Sequence, residues 1–261
     1  MISNSENDTI DQCFEFDLER KIQEWKKITT VRIKFNHWKL NVMDKAILEI
    51  IGNLNNITDI TIDIISELKN SDENLLEILP HIFQGVNKFK RLSVNLSFNK
   101  ITDKSAKVLF SQYLSKMENL EGLSLDFTFT NITDQSIKAL SESCLNIIKN
   151  LVSFNITFSY VPISDVFFSE LFIEMPKIEY LRISCSNTRV SNQTAWKINK
   201  LVCMQGKTLR TFVACFDETG MTERYFYMLS RNVKAVFSQT YGINFIGNEY
   251  SFTKRLYYYS F

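Results

Sequence analysis

The stretch that decides the fold is Leu120-Glu121-Gly122-Leu123-Ser124-Leu125-Asp126-Phe127, followed closely by Asn131-Ile132-Thr133-Asp134. The same pattern occurs seven times along the chain. Its copies begin at the apolar residues Ile28, Ile57, Phe89, Leu120, Leu151, Ile178 and Leu209. Successive starts lie 27 to 32 residues apart, so the chain repeats one structural unit.

Each copy contains a strand pattern followed by a helix pattern. The first, fourth, sixth and eighth residues are apolar, and the alternation over the last three predicts a strand with one buried face. A further apolar residue follows the strand, and then a pair such as Thr102-Asp103 or Thr133-Asp134. Short oxygen-bearing side chains of this kind cap helix starts, so we expect Asp103 and Asp134 to cap the first amides of their own helices. Apolar spacings of three or four then predict helices of about three turns.

Such units must stack into a curved solenoid. Neighbouring strands lie about 4.8 Å apart, whereas packed helices need about 8–10 Å. We therefore expect an α/β solenoid with parallel strands on the concave face and helices on the convex face. One repeat alone cannot bury enough apolar surface to be stable, so each repeat depends on its neighbours.

The pattern resembles leucine-rich repeat proteins of the ribonuclease-inhibitor-like class, over about residues 28–239. Two features depart from the usual repeat. The closing apolar residue, Ile132, is at position thirteen rather than eleven, and Ser97, Thr128 or Ser159 replaces the usual Asn after the strand. The spacing of Ile and Asp is similar to that of the expanded leucine-rich repeat families of ciliates. The resemblance also implies a competing role, because GTPase-activating proteins exist within this fold class.

The two ends of the chain differ from the repeats. Residues 1–27 are expected to form a polar segment and a capping helix, in which Leu18, Ile22 and Trp25 share one face. Residues 28–239 form the repeat domain. Residues 240–261 are expected to form an aromatic cap, beginning with a hairpin around Gly247-Asn248. A docking site for a partner is the alternative interpretation of this segment, and a cap is favoured.

Composition favours a protein partner. The chain carries 30 Lys and Arg against 29 Asp and Glu, so its charge does not call for a nucleic acid or a membrane. It has no apolar run of 18 residues, and its first residues are polar and acidic. We expect a cytoplasmic protein, with association to the cytoskeleton or a cilium as a further expectation. The five scattered cysteines are expected to be reduced thiols.

No pattern for catalysis, a metal or a cofactor is present in the sequence. Only two histidines occur, no Cys-x-x-Cys spacing exists, and no glycines fall in a phosphate-binding frame. We therefore expect no catalytic residue, no metal and no cofactor.

Residues between the buried strand positions should face the concave side. Half of them are Ser, Thr or Asn, and three basic residues against two acidic ones argue against RNA binding. The candidate contacts for a protein partner are Tyr180, Arg182, Arg32, Lys34, Tyr257, Tyr258, Tyr259 and Phe261. The function expected is a non-catalytic interaction or assembly scaffold, such as a subunit of a larger complex. The alternative is a GTPase-activating protein that acts through Arg32, Lys34 and Asn36.

Overall fold

The protein forms one extended β-sheet along the repeats. A computed structural model describes residues 27–35, 48–49, 51–64, 71–83, 88–166, 177–205, 208–241 and 255–259. Within them, the strands are β1 (Thr30–Phe35), β2 (Asp59–Ile64), β3 (Arg91–Asn95), β4 (Gly122–Asp126), β5 (Ser153–Thr157), β6 (Tyr180–Ser184), β7 (Thr211–Cys215) and β8 (Arg255–Tyr259). Strands β1 to β7 are parallel and lie in sequence order, so the predicted α/β solenoid is confirmed.

Helices alternate with these strands. They are α1 (Asp72–Ile82), α2 (Asp103–Val108), α3 (Asp134–Leu140), α4 (Asn192–Gln205) and α5 (Glu223–Tyr241). Helix α2 continues into a π-helical turn, Leu109–Tyr113, and α3 into another, Ser141–Leu145. The apolar spacing of the sequence did not predict these wider turns.

The predicted register of the sheet is confirmed. One row of aligned positions runs Arg32, Thr61, Ser93, Ser124, Asn155, Arg182 and Val213. The residues on either side of this row in each strand are the buried ones from β2 to β7. At the end of the row Val213 keeps the predicted register position but is buried, as is Cys215 in the next row, whereas Arg182 one strand earlier is exposed.

The core lies between the sheet and the helices. It is one continuous cluster, to which every central repeat contributes its first, fourth, sixth and eighth residues. Phe127, Phe158 and Phe216 occupy the eighth position and are fully buried. The first repeat differs, because Ile28 is 37% exposed and no described repeat precedes it.

Strand β8 closes the far end of the sheet. It pairs antiparallel with β7 and places Tyr257 opposite Val213 and Tyr259 opposite Thr211. The β7 edge would otherwise present unpaired backbone groups. Helix α5 extends to Tyr241, two residues into the segment expected to be the cap. The predicted hairpin and the predicted N-terminal helix both lie outside the described residues.

A row of acidic and amide side chains ties the repeats together at the helix starts. We call it the aspartate ladder, and its members are Asp72, Asp103, Asp134, Asp165 and Asn192. Each member accepts a hydrogen bond from a backbone amide of the following repeat. The donors are, in order, Thr102, Thr133, Ser164, Ser191 and Thr222. Asp103, for example, accepts from the backbone N of Thr133 at 2.8 Å and from its hydroxyl at 2.7 Å.

The ladder corrects one prediction. Asp103 and Asp134 do lie at helix starts, as expected. However, their carboxylates accept amides of the next repeat rather than of their own helices. Within each of these helices the capping acceptor is instead the preceding threonine, Thr102 or Thr133. The ladder therefore joins consecutive repeats instead of stabilising single ones.

Three ladder carboxyls have a lowered pKa. Burial by itself would raise the pKa of Asp103, but hydrogen bonds from Ser136 and Thr133 outweigh it. The same balance lowers the pKa of Asp72 and of Asp165. Each carboxyl thus prefers to be ionised in the folded chain.

We predict that acid weakens the solenoid through this ladder. Because the folded pKa lies below the unfolded value of about 3.9, the stabilisation is complete above that value and is lost as the pH falls through the folded pKa. The free energy of unfolding, measured by urea titration, should therefore decrease from pH 6 to pH 3. Asp103→Asn should lose less over this interval than the parent, and an equal loss would contradict the prediction.

Candidate functional site

Three aromatic side chains stand on the rim of the solenoid, where strands β3, β4 and β5 end. Phe98, Phe129 and Tyr160 each come two residues after the buried eighth position of a repeat. We call them the rim column. Their rings stack, with centroids 4.9 Å apart for Phe98 and Phe129 and 4.1 Å for Phe129 and Tyr160. They nonetheless remain 41%, 37% and 49% exposed, respectively.

The backbone of the rim column is strained. Its φ angles are 59°, 56° and 59°, in the left-handed region that bulky residues rarely adopt. Asn187 and Glu218 occupy the same place in the next two repeats and are also left-handed. The turn thus requires this conformation, and an Asn would meet the requirement at lower cost.

Hydrogen bonds between repeats hold the turn. The amide of Phe98 donates to the carbonyl of Thr128 at 2.8 Å, and the amide of Phe129 donates to that of Ser159 at 3.0 Å. Within the turn, the buried Asn99 amide donates to the carbonyls of Ile64, Leu96 and Ser97. In the next repeat the hydroxyl of Thr130 donates to the carbonyl of Phe127. The aromatic rings are therefore presented on a rigid frame.

Basic side chains lie at both ends of the rim column. Lys100 is exposed and follows Phe98 by two residues, and Arg189 is exposed one repeat beyond Tyr160. Neither has an ion-pair partner among the described residues. The rim thus combines an apolar centre with positive ends, which is a composition typical of protein interfaces.

The structure separates the predicted contact residues into two groups. Arg32 and Lys34 lie on β1, at one end of the sheet, and the Arg32 guanidinium binds the Asp63 carboxylate at 2.8 Å. The Arg32 side chain is nonetheless 73% exposed, and Asn36 lies outside the described residues. A GTPase-activating role would need an arginine free to reach a nucleotide on another protein.

The second group lies at the opposite end. Tyr180 and Arg182 are exposed on β6, two strands from β8. The register aligns Tyr180 with Thr211 and Tyr259, and Arg182 with Val213 and Tyr257. Tyr258 lies between these positions on β8, whereas Phe261 lies outside the described residues. Sequence reasoning therefore selected residues that adjoin in space, and their role in binding stays a prediction.

The chemistry of the buried thiols is unfavourable for catalysis. Burial raises the pKa of the Cys144 and Cys185 thiols, which keeps them protonated. In the described part of the chain, no group of three or more His, Cys, Asp and Glu side chains is arranged to hold a metal. None of the helices described there is long and apolar enough to cross a membrane.

The rim column was missed from sequence although a signal for it exists. Phe98, Phe129 and Tyr160 are each 31 residues apart, which is also the spacing of the repeat starts Phe89, Leu120 and Leu151. Aligning the turns, rather than the strands alone, reveals the aromatic recurrence. The left-handed backbone itself leaves no comparable mark, because Gly is absent from these positions.

Comparison with known proteins agrees with the architecture. The full sequence matches no curated protein. A family model described as Leucine Rich repeat matches residues 92–110, which contain most of β3, the following turn, α2 and the start of its π-helical turn. This repeat suggests a role in protein–protein interaction. Together with the seven parallel strands and their alternating helices, the match identifies the fold as a leucine-rich repeat solenoid.

Proposed function

We propose that the chain is a non-catalytic interaction module, a scaffold or complex subunit, that binds a partner protein through the rim column. The observation that carries the proposal is the placement of Phe98, Phe129 and Tyr160: exposed, stacked and in a strained backbone. Large aromatic side chains on a rigid frame are the residues that dominate binding energy at protein interfaces.

Folding alone does not account for these aromatics. A bulky residue in the left-handed region costs about 1 kcal/mol or more, and a stacked ring pair returns about 0.5–1.5 kcal/mol. With three strained residues and only two stacked pairs, stacking does not offset the strain. Asn187 makes the same turn one repeat later without a ring, so the fold has a simpler solution available. An exposed apolar strip that the fold does not need points to a binding partner.

A cytoplasmic location extends the proposal. The described thiols Cys144, Cys185 and Cys203 are free. Thiols that stay unpaired suit a reducing compartment. Association with the cytoskeleton or a cilium is a finer form of the same proposal.

Replacing the whole rim column with asparagine should abolish partner capture. We predict that F98N/F129N/Y160N folds with a melting temperature within a few degrees of the parent, because asparagine tolerates the left-handed turn. Capture from extracts of the producing cells, quantified by mass spectrometry, should fall by about tenfold or more for the specific partners.

The matched control replaces two exposed apolar residues away from the rim. Ile147→Asn with Val166→Asn makes the same apolar-to-asparagine change at side chains that are 41% and 50% exposed, and should keep capture within about twofold. A triple variant that still captures every protein the parent captures would overturn the proposal. So would a parent chain that captures nothing above background.

A further inference from the structure

A second surface with a different chemistry lies on the convex side, on helices α4 and α5. Its members are Trp196, Lys200 and Met204 on α4, and Arg224, Tyr227 and Arg231 on α5, all of them exposed. We call it the convex patch. It faces away from the sheet and is separate from the rim column.

The repeat aligns the side chains of the patch in rows. Helices α4 and α5 begin 31 residues apart, at Asn192 and Glu223. Trp196 and Tyr227 therefore occupy equivalent positions on the two packed helices, 60% and 71% exposed. One turn further along, Lys200 and Arg231 are equivalent in the same way. An aromatic row thus runs beside a basic row across both helices.

In the central repeats, the positions equivalent to Trp196 and Tyr227 carry lysines that have partners. Lys138 of α3 pairs with Glu142 one turn later, at 3.8 Å. Lys107 of α2 donates to the side chain of Gln135 at 2.8 Å. The last two repeats therefore depart from the pattern of a solvated helix face.

The cations of the convex patch have no side-chain partner among the described residues. This holds for the side chains of Lys200, Arg224 and Arg231, which form neither a hydrogen bond nor an ion pair there. The acidic residue closest to them in the sequence is the exposed Glu223, which leaves the patch with an excess of positive charge. Its complement is a surface that supplies carboxylates to the basic row and apolar groups to the aromatic row.

We propose that the convex patch binds an acidic segment of a second protein, in which carboxylates adjoin apolar side chains. Trp, Tyr, Arg and Met are the residues enriched at protein interfaces, and the patch holds all four. A membrane is the weaker fit. Interfacial helices insert a continuous apolar face, whereas here cations and the acid Glu223 interrupt three apolar residues.

Selection from a display library of random peptides of about 12 residues on the immobilised chain tests the proposal. The enriched peptides should carry an excess of Asp and Glu beside aromatic or aliphatic residues. Both K200E/R231E and W196A/Y227A should weaken their binding by about tenfold or more, measured by fluorescence anisotropy with synthetic peptides. Melting temperatures of both variants should stay close to the parent, since all four side chains are exposed.

The matched control reverses two unpaired cations on the rim. Lys100→Glu with Arg189→Glu introduces the same charge change and should leave binding of these peptides within about twofold. If the selected peptides no longer bound K100E/R189E but still bound K200E/R231E, they would bind at the rim. That result would overturn the proposal for the convex patch and leave the proposal for the rim column standing. Neutral or basic peptides, or no enrichment, would also overturn it. So would vesicles of phosphatidylserine in phosphatidylcholine that bind the parent and not K200E/R231E, because the patch would then serve a membrane.

Discussion

Phe127→Ala is expected to lower the free energy of unfolding by about 3–5 kcal/mol. The ring is fully buried at the eighth position of the fourth repeat. Its ring centroid lies 5.8 Å from that of Phe158 in the next repeat, in a stacked pair. It lies 5.9 Å from the ring centroid of Phe110, in an edge-to-face pair. Truncation removes both ring contacts and leaves a cavity that close neighbours fill only partly.

The position of Phe127 extends the damage beyond one repeat. Because each repeat of a solenoid is stabilised by its interfaces, loss of a side chain shared by three elements also weakens the units on either side. Equilibrium urea unfolding measures the change. The matched control is Phe129→Ala, the same substitution two residues later, where the ring is 37% exposed. Loss of its two stacked neighbours should cost about 1–3 kcal/mol, less than the cost at Phe127. Equal costs at the two positions would contradict the burial pattern.

The alternation of apolar residues was enough to predict the sheet. Apolar residues occur in the other repeats at the positions equivalent to Leu123, Leu125 and Phe127. A shift of one residue along a strand would turn its buried side chains to solvent. The register of β4 against β3 and β5 pairs residues at equal offsets in their repeats, as the sequence alignment of the repeats predicted. Strong periodic burial therefore specifies both the strands and their alignment.

The features that sequence reasoning missed depend on contacts between repeats. Asp103 could be placed at a helix start, but its partners, Thr133 and Ser136, are about 30 residues away and become neighbours only when repeats stack. The rim column is similar, because Phe98 and Phe129 meet only in the folded solenoid. Such contacts join different repeats, so the sequence of one repeat does not predict them.

Strand β8 shows a different limit of sequence reasoning. The aromatic run was expected to cover the last repeat, and its pairing with β7 is a backbone interaction that side-chain pattern does not specify. Antiparallel addition of a strand requires only a free edge and enough chain to return to it. The side-chain pattern therefore does not predict that β8 runs antiparallel to β7.

The candidate surfaces divide the solenoid by chemistry. The rim column is apolar with basic ends, and the convex patch is aromatic and basic throughout. On the concave face two arginines are paired with acids of the neighbouring strand, Arg32 with Asp63 and Arg91 with Asp59. We expect partners to bind at the rim column and at the convex patch.

Asp103→Ala is expected to lower the free energy of unfolding by about 2–4 kcal/mol, well above the usual cost of losing a helix cap. The carboxylate accepts from the amides of Thr133 and Ser136, at 2.8 and 3.2 Å, and from both hydroxyls. Its removal takes a charged acceptor from all four donors at the start of α3, and hydrogen bonds to a charged group are the stronger ones. The Ser136 amide keeps a second acceptor, the Thr133 carbonyl at 3.0 Å. Glu118→Ala, an exposed acid-to-alanine change, serves as control and should stay within about 0.5 kcal/mol of the parent.

A conservative variant separates hydrogen bonding from charge at the same position. Asparagine naturally fills this place at Asn192, where it accepts from the amide and the hydroxyl of Thr222 at 2.8 and 3.2 Å. Asp103→Asn should therefore keep part of the interaction and fall between the parent and the alanine variant. Combining Asp103→Ala with Ser136→Ala should cost less than the sum of the two single changes, by about 0.5–3 kcal/mol, because one hydrogen bond cannot be lost twice. Strict additivity in urea unfolding would mean that the carboxylate does not join the two repeats.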